Sequence, residues 1–228
     1  MAHAFFLGVE LADTEPDEPL TATLTILEKE KEQSDVEASY RLDHARKYTD
    51  VASAGDLADR IQSLVADQPY IGRTSIVVNR GRPAGQALVD ALEERGLDAV
   101  AATLTKGSGA VPGGRDEVGV QLGTSDAVRT LAELYRDRRL GIDDHATEAA
   151  SDLVRGVQRA AEMLDEADGN QDTPEASGSV LDVFNEAEPA VTSAALAAWV
   201  GAERSFDPTQ HLKQDPQTGR SSNGAPGV

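Results

Sequence analysis

The sequence predicts an α/β domain whose mixed sheet opens as a three-strand antiparallel meander, continues into parallel strands and is flanked by helices. Three observations carry this. Ser75-Ile76-Val77-Val78 is a β-branched apolar run without polar alternation, as expected of a strand covered on both faces. Behind it come a turn-forming stretch, Arg80 to Gly85, and a helix with Ala87, Leu88, Ala91 and Leu92 on one face that Gly96 stops. Leu97 to Leu104 then reads as another strand, so a right-handed strand-helix-strand crossover is the simplest topology. Functional groups in open α/β sheets collect at the carboxyl ends of strands, which directs attention to Asn79 and the loop after it.

The earlier elements come in a compatible order. Ala4 to Leu11 is apolar except for Glu10 and reads as the first strand; Leu20 to Glu28 alternates Thr21, Thr23 and Thr25 with Ala22, Leu24 and Ile26, the period of a half-exposed strand. Between them Asp13, Glu15, Asp17 and Glu18 mark a polar loop, read as solvated rather than cation-binding. A third strand is expected within Glu37 to Tyr48. Ser53 to Val65 carries Leu57, Ile61, Leu64 and Val65 at helical spacing, with Ser53 as N-cap and Asp56 in the first turn.

Beyond the crossover, Lys106 to Val120 is glycine-rich and predicts a mobile loop or short hairpin. A helix over Asp126 to Arg139 follows, started by Ser125, then a brief strand at Leu140 to Ile142 and a helix from about Ala146 to Glu166. Asp165 to Ser179 reads as a flexible polar connection and Val180 to Phe184 as a short last strand. Pro189 opens an alanine-rich helix, Ala190 to Ala202, at its favoured first position. The division expected is one domain over 1–205 and a disordered tail over 206–228.

Composition narrows the classes. The 228 residues include no cysteine, which removes disulfide frameworks and thiolate metal sites and favours a cytoplasmic protein. The amino terminus lacks the basic region and apolar length of a signal peptide, and no stretch approaches membrane-spanning length. Forty acidic against 21 basic residues give a net charge of -19, which argues against a general nucleic-acid binder while leaving room for a local basic patch. With acids spread along the chain, little lysine and much alanine, the composition resembles that of salt-in halophilic proteins. No Gly-x-x-x-x-Gly-Lys-Ser/Thr phosphate loop is present.

The element order is the outline of a ribonuclease H-like mixed sheet. More specifically, the chain resembles the nuclease domain of phage large terminase subunits over roughly Phe5 to Ala202. FLGVEL is similar to that family's first strand, hydrophobic-Gly-Val-Asp-Leu, and IVVNRGRPAG with ALVDAL to its Val-Asp-x-x-Gly-x-Gly strand and following helix. TSDAVRTLAELYRDRRLGI resembles its helix-then-strand segment, and EPAVTSAALAAWV its Asp-Asp-hydrophobic run ending in Ala-Leu-Ala-x-Trp.

The resemblance implies a two-metal site, in which acids from the first strand, the central strand and the last helix hold Mg²⁺ or Mn²⁺ ions about 3.5 to 4 Å apart. Here those positions hold Glu10, Asn79 and Glu188, the last followed by Pro189 where the family has a second aspartate. One carboxylate is thus an amide and another a proline, and the implied cage is a depleted one. Glu10, Glu188 and Asp13 are the metal ligands left to it, and metal binding is expected to be weak. Arg80 and Arg82 are candidate phosphate contacts.

Each residue also has a plainer reading: Glu10 an ion-paired or solvated carboxylate, Asn79 a turn former, Glu188 a helix-capping acid, Arg80 and Arg82 partners for neighbouring acids. His44 and His145 are expected at the surface. Three functions fit: a stand-alone terminase-nuclease-like domain from a phage or prophage that has lost cleavage and binds DNA or packaging proteins, an active Mg²⁺- or Mn²⁺-dependent DNA endonuclease, or an acidic interaction protein keeping only the fold.

Overall fold

Local sequence signals account for most of the elements. The computed structural model describes residues 3–12, 18–30, 37–105, 110–112, 119–142, 147–169 and 188–203. Along them run β1 (His3–Leu11), β2 (Leu20–Glu30), β3 (Ser39–Val51), α1 (Ala54–Ala66), β4 (Thr74–Asn79), α2 (Gly85–Glu93), β5 (Ala99–Thr105) and β6 (Ala110–Pro112). β7 (Val120–Gly123), α3 (Thr124–Arg136), β8 (Leu140–Gly141), α4 (Glu148–Gly169) and α5 (Pro189–Glu203) follow.

The strands form one mixed sheet in the order β6-β7-β5-β4-β1-β2-β3-β8. β1, β2 and β3 are the expected antiparallel meander, and β4 and β5 extend it in parallel from β1. The glycine-rich stretch resolves into a hairpin: β6 pairs antiparallel with β7, and β7 adds to the sheet parallel to β5.

Strand alternation divides the core into two layers. Phe5, Leu7, Val9 and Leu11 of β1 pack with Leu57 and Ile61 of α1 and Leu88 and Leu92 of α2. Ala4 and Phe6 turn to the other face, against Leu131 of α3, Leu153 and Val157 of α4, and Leu196 of α5. α5 approaches closest. A Cβ on Gly8 would lie 1.8 Å from the Ser193 carbonyl oxygen, so only glycine lets that helix lie on β1. The Thr25 and Ser193 hydroxyls meet at 2.7 Å and satisfy each other inside this contact.

The caps follow the sequence. The Ser53 hydroxyl accepts the Asp56 amide at 3.1 Å to start α1. Gly96, at φ 73°, ends α2 while the Leu97 amide donates to the Leu92 carbonyl at 3.0 Å. Three boundaries differ from expectation. α3 begins at Thr124 and stops at Arg136, because Arg138 takes a left-handed φ of 58° and the Arg139 amide folds back to the Leu134 carbonyl. α4 continues to Gly169, so the first residues of the expected connection are helical. His44 is half-buried rather than fully exposed: a register shift between Ile26 and Leu27 accommodates an extra residue in β3 and sets His44 opposite the buried Ile26. Val180 to Phe184, His145 and the 206–228 tail lie outside the described residues. Among the described residues no helix is long and apolar enough to cross a membrane.

Candidate functional site

The parallel register of β1 and β4 ends with Val9 opposite Val78, so Glu10 and Asn79 emerge side by side at the carboxyl edge of the two strands. Val9 and Val78 both belong to the α1/α2 layer, so alternation turns Glu10 and Asn79 toward the α5 side. Both are buried, at 1% and 3% exposure. A carboxylate taken this far out of water needs hydrogen bonds and a counter-charge.

Glu10 has both. The Asn79 Nδ2 donates to Glu10 Oε2 at 2.8 Å, and the Arg82 Nε donates to Glu10 Oε1 at 2.8 Å. The Asn79 amide has its orientation set from behind, since its Oδ1 accepts the Gly81 backbone N–H at 3.1 Å, which only an oxygen can do. One loop therefore supplies every part. Gly85 lets it fold back on itself: a Cβ there would lie 2.4 Å from the Asn79 carbonyl oxygen. Arg80 points along the sheet, its Nε donating to the Thr103 hydroxyl at 3.1 Å and its amide to the Ala102 carbonyl at 2.8 Å.

This arrangement does not fit a two-ion site. The Asn79 oxygen, the only atom of that side chain able to ligate a hard cation, is committed to Gly81, and its N–H₂ faces Glu10. Both carboxylate oxygens of Glu10 are engaged, and a dication beside them would meet the Arg82 guanidinium. Among the described residues no three His, Asp or Glu side chains gather as a metal-binding group.

Glu188, the third position, stands at the head of the last helix. It precedes α5, and its carbonyl accepts the Val191 and Thr192 amides at 2.9 and 3.0 Å, so it occupies the capping position. Its side chain is exposed and lines a groove of about 860 Å³ that Glu10 does not line. Thr23 links the two regions: it is opposite Glu10 across β1 and β2, opposite Lys47 across β2 and β3, and it lines the groove. Asp13 falls outside the described residues, and Glu18 is exposed.

Sequence reasoning missed two clusters. Glu28 is buried at 5% exposure and is held by Arg41, whose Nε donates to it at 3.1 Å; Arg41 also reaches Asp43, which accepts the Tyr70 hydroxyl. Burial, with the Asp43 carboxylate beside it, pushes the Tyr70 phenol up. The acid-base alternation of Glu28 with Arg41 was the available signal, but it required the strand register. The second is His44, whose Nε2 is buried with no hydrogen-bond partner among the described residues. Burial lowers its pKa from the ordinary value, and Arg46 adds to that.

Comparison with protein-family models, with curated proteins and with solved structures finds no match to this chain.

Proposed function

We propose that this chain is a stand-alone terminase-nuclease-like domain in which the catalytic centre has become a structural ion pair, and that it acts as a binding or assembly module in phage or prophage DNA packaging. The observation that carries the reading is the engagement of both Glu10 oxygens by Asn79 and Arg82. The amide replaces a ligand charge with a neutral donor, and the guanidinium replaces a mobile dication with a covalently attached monocation. Nothing then remains at Glu10 to activate water. Direct grip on DNA is disfavoured by the net charge of -19, and each phosphate contact would bring a salt slope of about -0.9. Packaging proteins are therefore the favoured partners.

Plasmid cleavage with Mg²⁺ or Mn²⁺ tests the proposal. The wild-type protein is expected to leave supercoiled DNA intact, and Asn79→Asp combined with Arg82→Ala to gain Mn²⁺ binding measurable by calorimetry. Linearisation at ordinary nuclease rates that disappears in Glu10→Ala would overturn it.

A further inference from the structure

The groove that Glu188 lines has a floor of strand and walls of helix. Thr25 meets Ser193 of α5, and Thr23, two residues back along β2, turns to the same side. Lys47 stands opposite Thr23 in the β2/β3 register and shares the face of Ala45, on which Ala149 and Ala150 of α4 pack. Thr147 pins that helix to the floor: its hydroxyl accepts the Ala150 amide at 3.0 Å and donates to the Ala45 carbonyl at 3.1 Å. Glu148, in the first turn of α4, and Glu188, at the head of α5, supply the two walls.

The polar groups turned into this space lack protein partners. Thr23 is 3% exposed, and its hydroxyl makes no hydrogen bond among the described residues. Among those residues the sealed side-chain atom without a partner is His44 Nε2, so the Thr23 oxygen is not sealed, and it opens into the groove that Thr23 lines. A hydroxyl so placed is completed by whatever fills the cavity. Lys47, Glu148 and Glu188 are exposed and make no ion pair among the described residues. The other charges beside the groove are already engaged. Asp152 is paired with Arg155 within α4, and Arg46, opposite Leu24, turns to the α1 side and stacks on the Tyr48 ring at 4.8 Å.

From these features we infer that the groove is a binding site for a small zwitterion of the amino-acid type, with a primary ammonium at one end and a carboxylate at the other. The carboxylate meets Lys47 and the Thr23 hydroxyl, and the ammonium meets Glu188 and Glu148. Charge of both signs selects the class: a plain anion would face two carboxylates, and a plain cation would face the Lys47 ammonium. Binding there requires nothing of Glu10, so this site and the ion pair at Glu10 stand or fall separately.

The test titrates the full chain, labelled with ¹⁵N, at the lowest KCl concentration that keeps it folded, because salt screens both ends of such a ligand. Glycine, γ-aminobutyrate and ε-aminocaproate carry the two charges at increasing separation, whereas butylamine and butyrate carry one each. At least one of the zwitterions is expected to shift the Thr23 and Lys47 amide signals with a dissociation constant of about 10 mM or below, and to bind about threefold or more tighter than either single-charge probe. Lys47→Met is expected to erase the advantage over butylamine, and Glu148→Gln combined with Glu188→Gln the advantage over butyrate. Thr23→Val keeps the side-chain shape and is expected to leave folding stability intact, since no protein partner is lost, while weakening binding about threefold. No shift with any zwitterion, equal binding of butylamine or butyrate, an undiminished advantage in Lys47→Met, or wild-type affinity in Thr23→Val would each overturn the inference.

Discussion

Removing the guanidinium from Glu10 is the most direct probe of the candidate site. Arg82→Met keeps the aliphatic stem and deletes the charge. At 2.8 Å and an effective dielectric constant of about 20, the attraction between the two charges is about 6 kcal/mol gross. Most of this offsets the desolvation of a carboxylate that is 1% exposed. The Arg82 side chain is 38% exposed, so water enters when it is cut back and compensates in part. The expected net loss is about 3 kcal/mol, at the lower end for stripping a buried charge of its partner.

The pH dependence gives the sign. In Arg82→Met the buried carboxylate favours its protonated form, so its folded pKa is raised above the unfolded value, the folded state binds more protons, and stability falls as pH rises. The deficit relative to wild type is therefore greatest at neutral pH and shrinks on acidification toward pH about 5. Glu10→Gln removes the charge on the other side and is expected to cost about 1 kcal/mol, with a coupling between the two sites of about 2 kcal/mol in a double-mutant cycle. Urea unfolding at several pH values measures all of these, since urea leaves ionic strength unchanged. A loss below about 0.5 kcal/mol that does not vary with pH would show that water already neutralises Glu10, and would refute the reasoning.

Other perturbations test neighbouring parts. Gly8→Ala places a methyl where the Ser193 carbonyl stands and is expected to destabilise by more than about 3 kcal/mol, or to prevent folding, as read by urea denaturation. His44 has its folded pKa lowered by burial, so the unfolded chain binds the extra proton and stability falls as pH drops below the ordinary histidine range; His44→Gln, measured by thermal melts between pH 5 and 8, is expected to flatten that slope. Raising KCl from about 0.1 M to about 1 M shortens the Debye length from about 10 Å to about 3 Å and relieves repulsion in a chain of charge -19, so the melting temperature is expected to rise, and a flat or falling curve removes the halophilic reading.

What was legible in the sequence is what local chemistry decides. The apolar run Ala4 to Leu11, the Ser53 cap, the Gly96 stop and Pro189 at a helix start each depend on a few adjacent residues, and each lies where expected. The brief strand expected at Leu140 to Ile142 is β8, whereas β6 and β7 have three and four residues, too few to show a period, and stood only as a possible hairpin. The end of α3 was misplaced because Arg138 adopts a left-handed conformation that its residue type does not advertise. His44 is half-buried because the extra residue in β3 sets it opposite Ile26, which no local signal in the sequence shows. At the candidate site the convergence of Glu10 and Asn79 followed from strand order, whereas the Arg82 contact bridges 72 positions and depends on the loop path after Asn79.

That loop path explains why the ion pair is self-consistent. Gly85 permits the tight return over the Asn79 carbonyl, the return places the Gly81 N–H on the Asn79 oxygen, and this fixes the amide with its donors toward Glu10. Three positions after Asn79, Arg82 meets the remaining Glu10 oxygen. Placing an aspartate at position 79 alone would put a second carboxylate against Glu10, and its oxygen toward Gly81 would still be held by the backbone. The guanidinium would then bridge two acids before any dication gained access. A single substitution therefore leaves the site closed, and a metal-binding variant requires Arg82 to leave at the same time.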